Sequence, residues 1–282
     1  MRTIAYVCQA LMLAGTIAPT NTALAQAGSS LAVSYSLPKT DLTVREPVFL
    51  RVTVENYLDE PVTVDLGTAS RGNFRARILR PDGRTETAPK PTLDEFGPTG
   101  RTPLAPHKPF SELLLLNRWF DFDLPGRYFL DMETTAPFVT GSGTRLAAPP
   151  GGSVIINVGP PDPERLGRTC AVLEGRVNAS ATSAAAIEAA ETLSYVRDPV
   201  AVPYLARLLD NGKNVEWLAV YGLERVADIS AVDALISQLN SRATETNSRA
   251  TETRMLALAA LRRIEETTSD PTIRQRIEGA RR

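Results

Sequence analysis

The chain has little of the residue types on which most familiar enzyme chemistry depends. Its 282 residues include one histidine, His107, and two cysteines, Cys8 and Cys170. A zinc site built from histidine and cysteine takes three or four such ligands, so the sequence predicts no metal site of this kind. The same shortage leaves little material for a serine–histidine or cysteine–histidine nucleophile. We therefore expect a protein that is not an enzyme and that has no catalytic residues, metal or cofactor.

The chain also lacks an excess of charge of either sign. It has 31 basic and 32 acidic residues, which gives a formal net charge of −1. Proteins that attract nucleic acid or anionic membranes through their overall field carry a large positive charge, so we expect no nucleic-acid partner. A chain of 282 residues, 43% hydrophobic and 22% charged, is typical of a soluble globular protein with two domains.

The N-terminus has the pattern of an export signal. Arg2 precedes a mostly apolar run over residues 4–18, and Ala23 and Ala25 form an A-x-A pattern before Gln26. These three features together are typical of a secretory signal peptide, and the apolar run is shorter than the roughly 20 residues that cross a bilayer. The sequence predicts a signal peptide over residues 1–25, no membrane span after its cleavage, and a periplasmic or secreted bacterial protein.

Residues 26–159 carry the pattern of short strands. Apolar and polar residues alternate with a period of two, which is typical of strands with one buried face. Turn residues separate the strands, as at 59–61. Strands are expected near residues 31–37, 48–54, 62–66, 74–78, 110–117, 128–134 and 153–158. Seven or eight such strands with no helical period predict an antiparallel β-sandwich.

Two segments of this half carry a resemblance. DLPGRY at residues 123–128 resembles the tyrosine corner of immunoglobulin-like sandwiches, in which the hydroxyl of the tyrosine, here Tyr128, bonds backbone in the preceding turn. Residues 46–62 are similar to secreted bacterial immunoglobulin-like modules in their order of strand, asparagine turn and strand. The resemblance implies an immunoglobulin-like β-sandwich over residues 26–159. A looser similarity to bacterial proteinase-inhibitor domains leaves an inhibitor as an alternative.

Residues 89–109 interrupt the strand pattern. Six prolines and two glycines fall within these 21 residues, so the segment has few backbone donors for a sheet. We expect a long extended loop that contains His107. Long loops often carry function, and this one is the candidate inhibitory segment if the protein is a proteinase inhibitor.

From residue 160 the hydrophobic period becomes that of helices. Asp162 and Pro163 are typical of an N-cap and of the first helical position. The apolar residues that follow form one helical stripe, Leu166, Cys170, Leu173 and Val177. Cys170 is therefore expected to be a small buried apolar residue and not a nucleophile.

A repeat with an offset of 30 residues covers the middle of this half. Residues 193–209 align with residues 223–239 at seven apolar or capping positions, among them Asp198 with Asp228. A period near 30 built from two helices is typical of an α-solenoid, and each aspartate is expected to cap the second helix of its pair. A polar tandem duplication of seven residues, 241–247 and 248–254, precedes a third and shorter copy.

The run over residues 189–223, with DPVAVPYL at 198–205, resembles bacterial HEAT-like repeats of the phycobilisome-lyase type. The resemblance covers roughly residues 184–264, and it implies scaffolding or protein binding. A few members of that family attach bilins, but nothing in this sequence marks that activity. The fold class expected is therefore all-β plus all-α in two domains: the antiparallel immunoglobulin-like sandwich of residues 26–159, then a short HEAT-like α-solenoid over residues 160–282.

Two aromatic residues lie off the apolar stripe of the helix expected near 215–226. At about 100° per residue, Trp217 and Tyr221 share a face nearly opposite that stripe. Exposed aromatic pairs are typical anchors for a partner, although such a pair can equally pack against a neighbouring helix or the β half. Tyr204 and Arg207, one helix earlier, are expected to continue the same surface. These four residues form the candidate partner-binding site.

Together these features favour an exported, non-catalytic protein that binds another protein or serves as a scaffold. The helical-repeat surface and the loops of the β half are the expected contact surfaces. A proteinase inhibitor acting through residues 89–109 is one alternative. A hydrolase that uses carboxylates alone is another. Asp121 and Asp123, at positions i and i+2, could also share a hard cation such as calcium, although such pairs in turns are commonly only solvated.

Overall fold

The computed structural model describes residues 30–65, 73–89, 101–180, 182–212, 214–241 and 248–280. The predicted signal peptide lies outside these residues, as do the centre of the predicted loop, 90–100, and residues 242–247 of the tandem duplication. No helix in the described ranges is both long enough and apolar enough to cross a membrane.

Twelve strands form within the described residues, and in most of them the predicted alternation decides which face is buried. In Phe74–Leu79, for example, Phe74, Ala76 and Ile78 are buried while Arg75 and Arg77 are exposed. The strands are β1 (Leu31–Ser36), β2 (Leu42–Thr43), β3 (Phe49–Asn56), β4 (Val62–Asp65), β5 (Phe74–Leu79), β6 (Thr85–Thr87), β7 (Arg101–Leu104), β8 (Pro109–Leu115), β9 (Gly126–Thr134), β10 (Phe138–Thr140), β11 (Arg145–Leu146) and β12 (Gly152–Gly159).

The strands make three sheets in the described part of the chain. Their orders are β1-β3-β8, β11-β10-β4-β7 and β2-β12-β9-β5-β6. Neighbouring strands are antiparallel except for β2 and β12, which run parallel with Leu42 opposite Val158. We call the described residues from 30 to 159 the strand region.

The predicted fold class, an all-β antiparallel sandwich followed by an all-α solenoid, is wrong. The chain is a mixed α and β structure whose described residues form 12 strands in three sheets and seven α-helices. One sheet contains the parallel β2–β12 pair, and a 3₁₀ helix, Leu116–Arg118, lies between strands β8 and β9. A period of two cannot reveal a strand as short as β2, since two residues are too few to alternate.

The predicted hydrogen bond of Tyr128 is confirmed. Its hydroxyl donates to the backbone oxygen of Leu124 at 2.9 Å and accepts from the backbone N–H of Leu124 at 3.1 Å. The side chain is completely buried, with its ring centroid 5.2 Å from that of Phe122. Burial raises the pKa of the Tyr128 hydroxyl, which keeps it protonated and able to donate.

Residues 89–109 are not one long loop. Residues 101–104 form β7, which pairs with β4 so that Leu104 lies opposite Val62. Leu104 is almost completely buried, and burial of this side chain favours a strand despite the neighbouring prolines. His107 lies in the turn before β8 with a φ of 55°, and its Nε2 is 2.9 Å from Oδ1 of Asp59.

The helices pack in two layers. α1, α3, α5 and α7 follow one another in the first layer, and α2, α4 and α6 in the second. They are α1 (Pro163–Ala179), α2 (Ser183–Ser194), α3 (Val202–Leu208), α4 (Glu216–Val226), α5 (Ile229–Ser241), α6 (Ser248–Thr267) and α7 (Pro271–Ala280). We call the described residues from 160 to 280 the helical region.

The helix starts predicted at Asp162 and Asp228 are confirmed. Asp162 accepts a hydrogen bond from the backbone N–H of Arg165 at 2.9 Å, with Pro163 at the first helical position, and Asp228 accepts from the N–H of Ala231 at 2.8 Å. Asp198 accepts from the N–H of Val200 at 3.0 Å, but the helix it caps is a 3₁₀ helix, Pro199–Ala201, directly before α3. Each carboxylate satisfies an amide that has no partner within its own helix.

The predicted stripe of the first helix is also confirmed. The buried residues of α1 are Leu166, Cys170, Leu173 and Val177. The thiol of Cys170 is completely buried, and burial, assisted by the charge of Asp198, raises its pKa to about 12. A thiol protonated to that extent is a poor nucleophile at neutral pH.

Candidate functional site

The strand and helical regions meet around one buried carboxylate. The side chain of Glu46 is 1% exposed, and it accepts hydrogen bonds from the N–H of Thr43 at 3.1 Å and from Oγ1 of Thr169 at 3.2 Å. Nη2 of Arg165, on α1, lies 3.3 Å from it, and Nζ of Lys39 lies 2.5 Å from it. The first helix is thereby attached to the turn that precedes β3.

Further ion pairs between arginine and a carboxylate cross the same junction. They are Arg165 with Asp41 at 2.7 Å, Arg45 with Asp198 at 3.0 Å, Arg197 with Asp121 at 2.6 Å, and Arg118 with Glu191. The strand region contributes cations in two of these pairs and anions in the other two. Sequence reasoning missed the junction because its partners stand between 73 and 153 residues apart along the chain.

A cleft of about 360 Å³ opens beside these pairs, with walls from both regions. Its charged side chains are Arg45, Asp121, Asp123, Arg197 and Arg225. Arg45 and Arg197 have their own carboxylates across the junction, as described above. Asp123 is held by Arg80, whose Nη2 lies 2.5 Å from its Oδ1.

Unlike Arg45 and Arg197, which pair with carboxylates, Arg225 is held by neutral groups. Its Nη1 donates to the backbone oxygen of Ser194 at 3.3 Å and to Oγ of Ser194 at 3.2 Å, at the end of α2. Its guanidinium carbon lies 4.1 Å from the ring centroid of Tyr195. No carboxylate of the described residues lies within ion-pair distance of it, and burial lowers its pKa below the ordinary arginine value. No pattern in the sequence marks Arg225 as different from the other arginines.

The candidate residues of the helical region fall into two pairs. The rings of Trp217 and Tyr221, on α4, stand edge to face with centroids 5.9 Å apart, and Trp217 is 37% exposed. On α3 the guanidinium carbon of Arg207 lies 4.8 Å from the ring centroid of Tyr204. Nε and Nη2 of Arg207 also donate to the carboxylate of Glu174 on α1, at 2.5 and 2.8 Å. The role of these residues in partner binding stays a prediction.

The outer face of the five-stranded sheet carries an apolar row that sequence reasoning missed. Leu79 pairs with Phe129, and Phe129 pairs with Ile155, so three large side chains lie side by side on β5, β9 and β12. Their exposed fractions are 39%, 42% and 39%. A signal for the row exists in the sequence, because each strand breaks its alternation with a run of adjacent apolar residues. These runs are 78–79, 128–130 and 154–156.

Asp121 and Asp123 do not form a shared carboxylate pair. Asp121 pairs with Arg197, and Asp123 pairs with Arg80, which also binds Glu86. Within the described ranges no group of three or more histidine, cysteine, aspartate or glutamate side chains is placed to hold a metal ion. The segment expected to act in a proteinase inhibitor lies mostly at 90–100, outside the described residues.

Comparison with known proteins does not assign the chain to a family. A scan against protein-family models finds no match, and a search of the curated proteins finds no significant one. Among solved structures, the putative ApaA protein of Bordetella pertussis is 16% identical with a TM-score of 0.29, over 45% of this chain and 93% of that chain. Spo0M, a sporulation control protein of Bacillus subtilis, is 13% identical with a TM-score of 0.27, over 51% and 54%. A β-glucosidase of Listeria innocua is 14% identical with a TM-score of 0.26, over 46% and 16%.

Proposed function

We propose that this chain is an exported, non-catalytic protein that binds another protein or serves as a scaffold for it. The observation that carries the proposal is the exposed apolar row Leu79–Phe129–Ile155 on the outer sheet face. Contiguous exposed apolar side chains on a soluble protein are typical of a protein interaction site. The export pattern at the N-terminus and the shortage of histidine and cysteine support the same reading.

The aromatic pair of α4, in which Trp217 is exposed and Tyr221 half-buried, is the second surface in this proposal. Trp217 and Tyr221 hold each other edge to face, which gives a rigid aromatic surface with little side-chain entropy to lose on binding. Tryptophan and tyrosine are the residue types that contribute most to binding energy at protein interfaces. Tyr204 and Arg207 extend this surface onto α3.

A capture experiment with matched variants tests the proposal. The immobilised chain is exposed to envelope extract of the source bacterium, and each captured protein is then purified and titrated against wild type and variants. Phe129→Thr removes the centre of the apolar row, and Trp217→Ala removes the larger aromatic of α4. We expect at least one of them to weaken binding of a captured partner by ten-fold or more.

Two control variants remove apolar side chains elsewhere that are at least as exposed as the ones tested. Leu113→Thr changes a residue on β8 that is 42% exposed, and Met255→Ala changes one on α6 that is 66% exposed. Both are expected to bind the partner as wild type does. The proposal is contradicted if wild type captures no protein, or if both test variants bind every captured protein as tightly as the controls.

A further inference from the structure

The cleft between the strand and helical regions holds a guanidinium fixed in place by neutral partners. One nitrogen of Arg225 is held by Ser194 at the C-terminal end of α2, and the guanidinium carbon lies over the ring of Tyr195. A cation at that position also interacts favourably with the negative end of the α2 dipole. These contacts fix where the group sits without neutralising its charge.

The remaining donors of Arg225 are free within the described part of the chain. Nη1 makes the hydrogen bonds to Ser194, whereas Nε and Nη2 have no protein acceptor among the described residues. Nε and Nη2 form one edge of the planar guanidinium. Two parallel N–H donors on such an edge match the two oxygens of a carboxylate.

Each of the other charged side chains of the cleft has a partner of opposite charge. Arg45 binds Asp198, Arg197 binds Asp121, and Asp123 binds Arg80, which Glu86 also binds at 3.0 Å. Among the described residues, Arg225 is therefore the charged group of the cleft with no opposite charge at ion-pair distance, in a site where burial already disfavours its charge. An anion placed there gains Coulomb energy in surroundings less polar than water.

The walls of the cleft are apolar beside this charge. Tyr195, Pro199 and Val226 line it, and Tyr195 is 9% exposed. A volume of about 360 Å³ lies within the range of small-molecule sites, roughly 300–1,000 Å³. The site thus combines one unmatched cation with an apolar wall, which suits an anion that carries a small apolar body.

A larger cavity, in the strand region, lacks an unpaired charge of this kind among its described lining residues. It measures about 790 Å³ and lies along β5 and β9. Its arginines are already paired, Arg75 with Glu133 at 3.9 Å and Arg77 with Asp131 at 3.0 Å. Among its described lining residues the charges are balanced, so they do not select a ligand of one charge.

We propose that the cleft between the two regions binds a small organic carboxylate, with its carboxylate on Nε and Nη2 of Arg225 and its apolar body against Tyr195, Pro199 and Val226. The ligand is either a free carboxylic acid or the C-terminal carboxylate of a chain. This site stands independently of the protein-binding surfaces proposed above, since neither the apolar row nor the α4 pair contributes to it.

Titration of the full chain with sodium benzoate tests the proposal, with benzylamine as the probe of the same shape and opposite charge. We expect saturable binding of benzoate in calorimetry, none of benzylamine, and a shift of the Arg225 Nε–H resonance in NMR. Arg225→Gln is expected to weaken benzoate binding by ten-fold or more. Arg168→Gln, an exposed arginine of α1, is expected to leave it unchanged.

A second variant covers the case in which Arg225→Gln does not fold. Val226→Phe narrows the cleft without changing its charge, and it is also expected to weaken benzoate binding. Absence of saturable binding by wild type, or equal binding by wild type and a folded Arg225→Gln, would overturn the proposal. So would saturation that leaves the Arg225 Nε–H resonance unmoved.

Two peptides distinguish the sources of the carboxylate. Gly-Gly-Phe with a free C-terminus is compared with the same peptide amidated. Binding of the free peptide alone, at least as tight as that of benzoate, supports a chain terminus as the ligand. Binding of benzoate without either peptide supports a free carboxylic acid.

Discussion

Arg165 and Glu46 join the first helix to the strand region, with Nη2 of the arginine 3.3 Å from Oε2 of the glutamate. The glutamate side chain is 1% exposed and the arginine side chain 21% exposed. A carboxylate buried to this degree is tolerated only because charged and hydrogen-bonding partners offset its lost hydration. The contact between the two regions therefore depends on Glu46 keeping its charge and all its partners.

Replacement of Glu46 by glutamine should destabilise the chain. The amide cannot accept from every donor around it, and Arg165 loses its buried anion while keeping Asp41 at the surface. We expect a loss of about 2–4 kcal/mol in the free energy of unfolding, measured in urea. Glu164→Gln changes an exposed side chain in the first turn of the same helix, and it should cost less than about 0.5 kcal/mol. Equal effects of the two changes would contradict the role given to Glu46.

Removal of the Tyr128 hydroxyl should destabilise the chain, because the backbone of Leu124 loses its hydrogen-bond partner. In Tyr128→Phe both the N–H and the carbonyl of Leu124 lose their partner beside a buried ring. We expect a loss of about 1–3 kcal/mol in urea unfolding. Tyr57→Phe is the control, because that side chain is 45% exposed and its change should have little effect. An unchanged midpoint for Tyr128→Phe would show that the two hydrogen bonds contribute nothing net.

Two glycine-to-alanine changes should act in opposite directions. A Cβ at Gly222 on α4 would stand 2.7 and 2.9 Å from the methyl carbons of Leu205 and 3.0 Å from Cα of Ser194. We expect Gly222→Ala to destabilise by about 1–3 kcal/mol, since overpacking outweighs the gain in helix propensity. At Gly175 on α1 a Cβ meets nothing within 4 Å, so Gly175→Ala should stabilise by about 0.5–1 kcal/mol. Thermal unfolding of the two variants compares them, and a stabilised Gly222→Ala would show that α4 does not pack so closely.

The thiol of Cys170 should be inert in the folded chain. In a Cys8→Ser background, Cys170 is the one thiol that remains. We expect Ellman's reagent to react slowly with it in the folded chain at pH 8, and rapidly once the chain is unfolded in roughly 6 M guanidinium. The pKa is about 12 in the folded chain and about 8.5 in the unfolded chain, so the unfolded chain loses the proton first. The contribution of this group to stability is therefore complete below about pH 8.5 and is lost as the pH rises through the folded pKa. Equal rates of reaction for native and unfolded protein would contradict this burial.

The parts predicted well from sequence are those with a local cause. The stripe of α1 and the caps at Asp162, Asp198 and Asp228 depend on residues within one turn of each other. The bond of Tyr128 to Leu124 spans four residues. The parallel pairing of β2 with β12, by contrast, joins residues more than 110 positions apart, and no local period reports it.

The candidate sites also divide into those with a local cause in the sequence and those that depend on distant residues. The aromatic pair of α4 follows from a spacing of four on one helix, and the structure does place the rings of Trp217 and Tyr221 in contact. The sequence does show a run of adjacent apolar residues in each of the three strands, but only strand register aligns Leu79, Phe129 and Ile155. No sequence signal shows that Arg225 lacks a carboxylate partner among the described residues. This depends on which arginines pair with carboxylates across the junction, and those pairs form only in the folded chain.

By itself, the sequence determined the scarcity of catalytic residue types, the near-neutral charge, and which residues turn inward in most of the predicted strands and in the first helix. These follow from composition and from periods of two and 3.6 residues, which act over a few residues of chain. Tertiary structure alone decided the three-sheet topology, the buried carboxylate of Glu46, and the cleft that leaves Arg225 without a carboxylate among the described residues. The reason is physical: pairing of strands and of charges is chosen by distance in space, and side chains far apart in sequence meet only when the whole chain has packed.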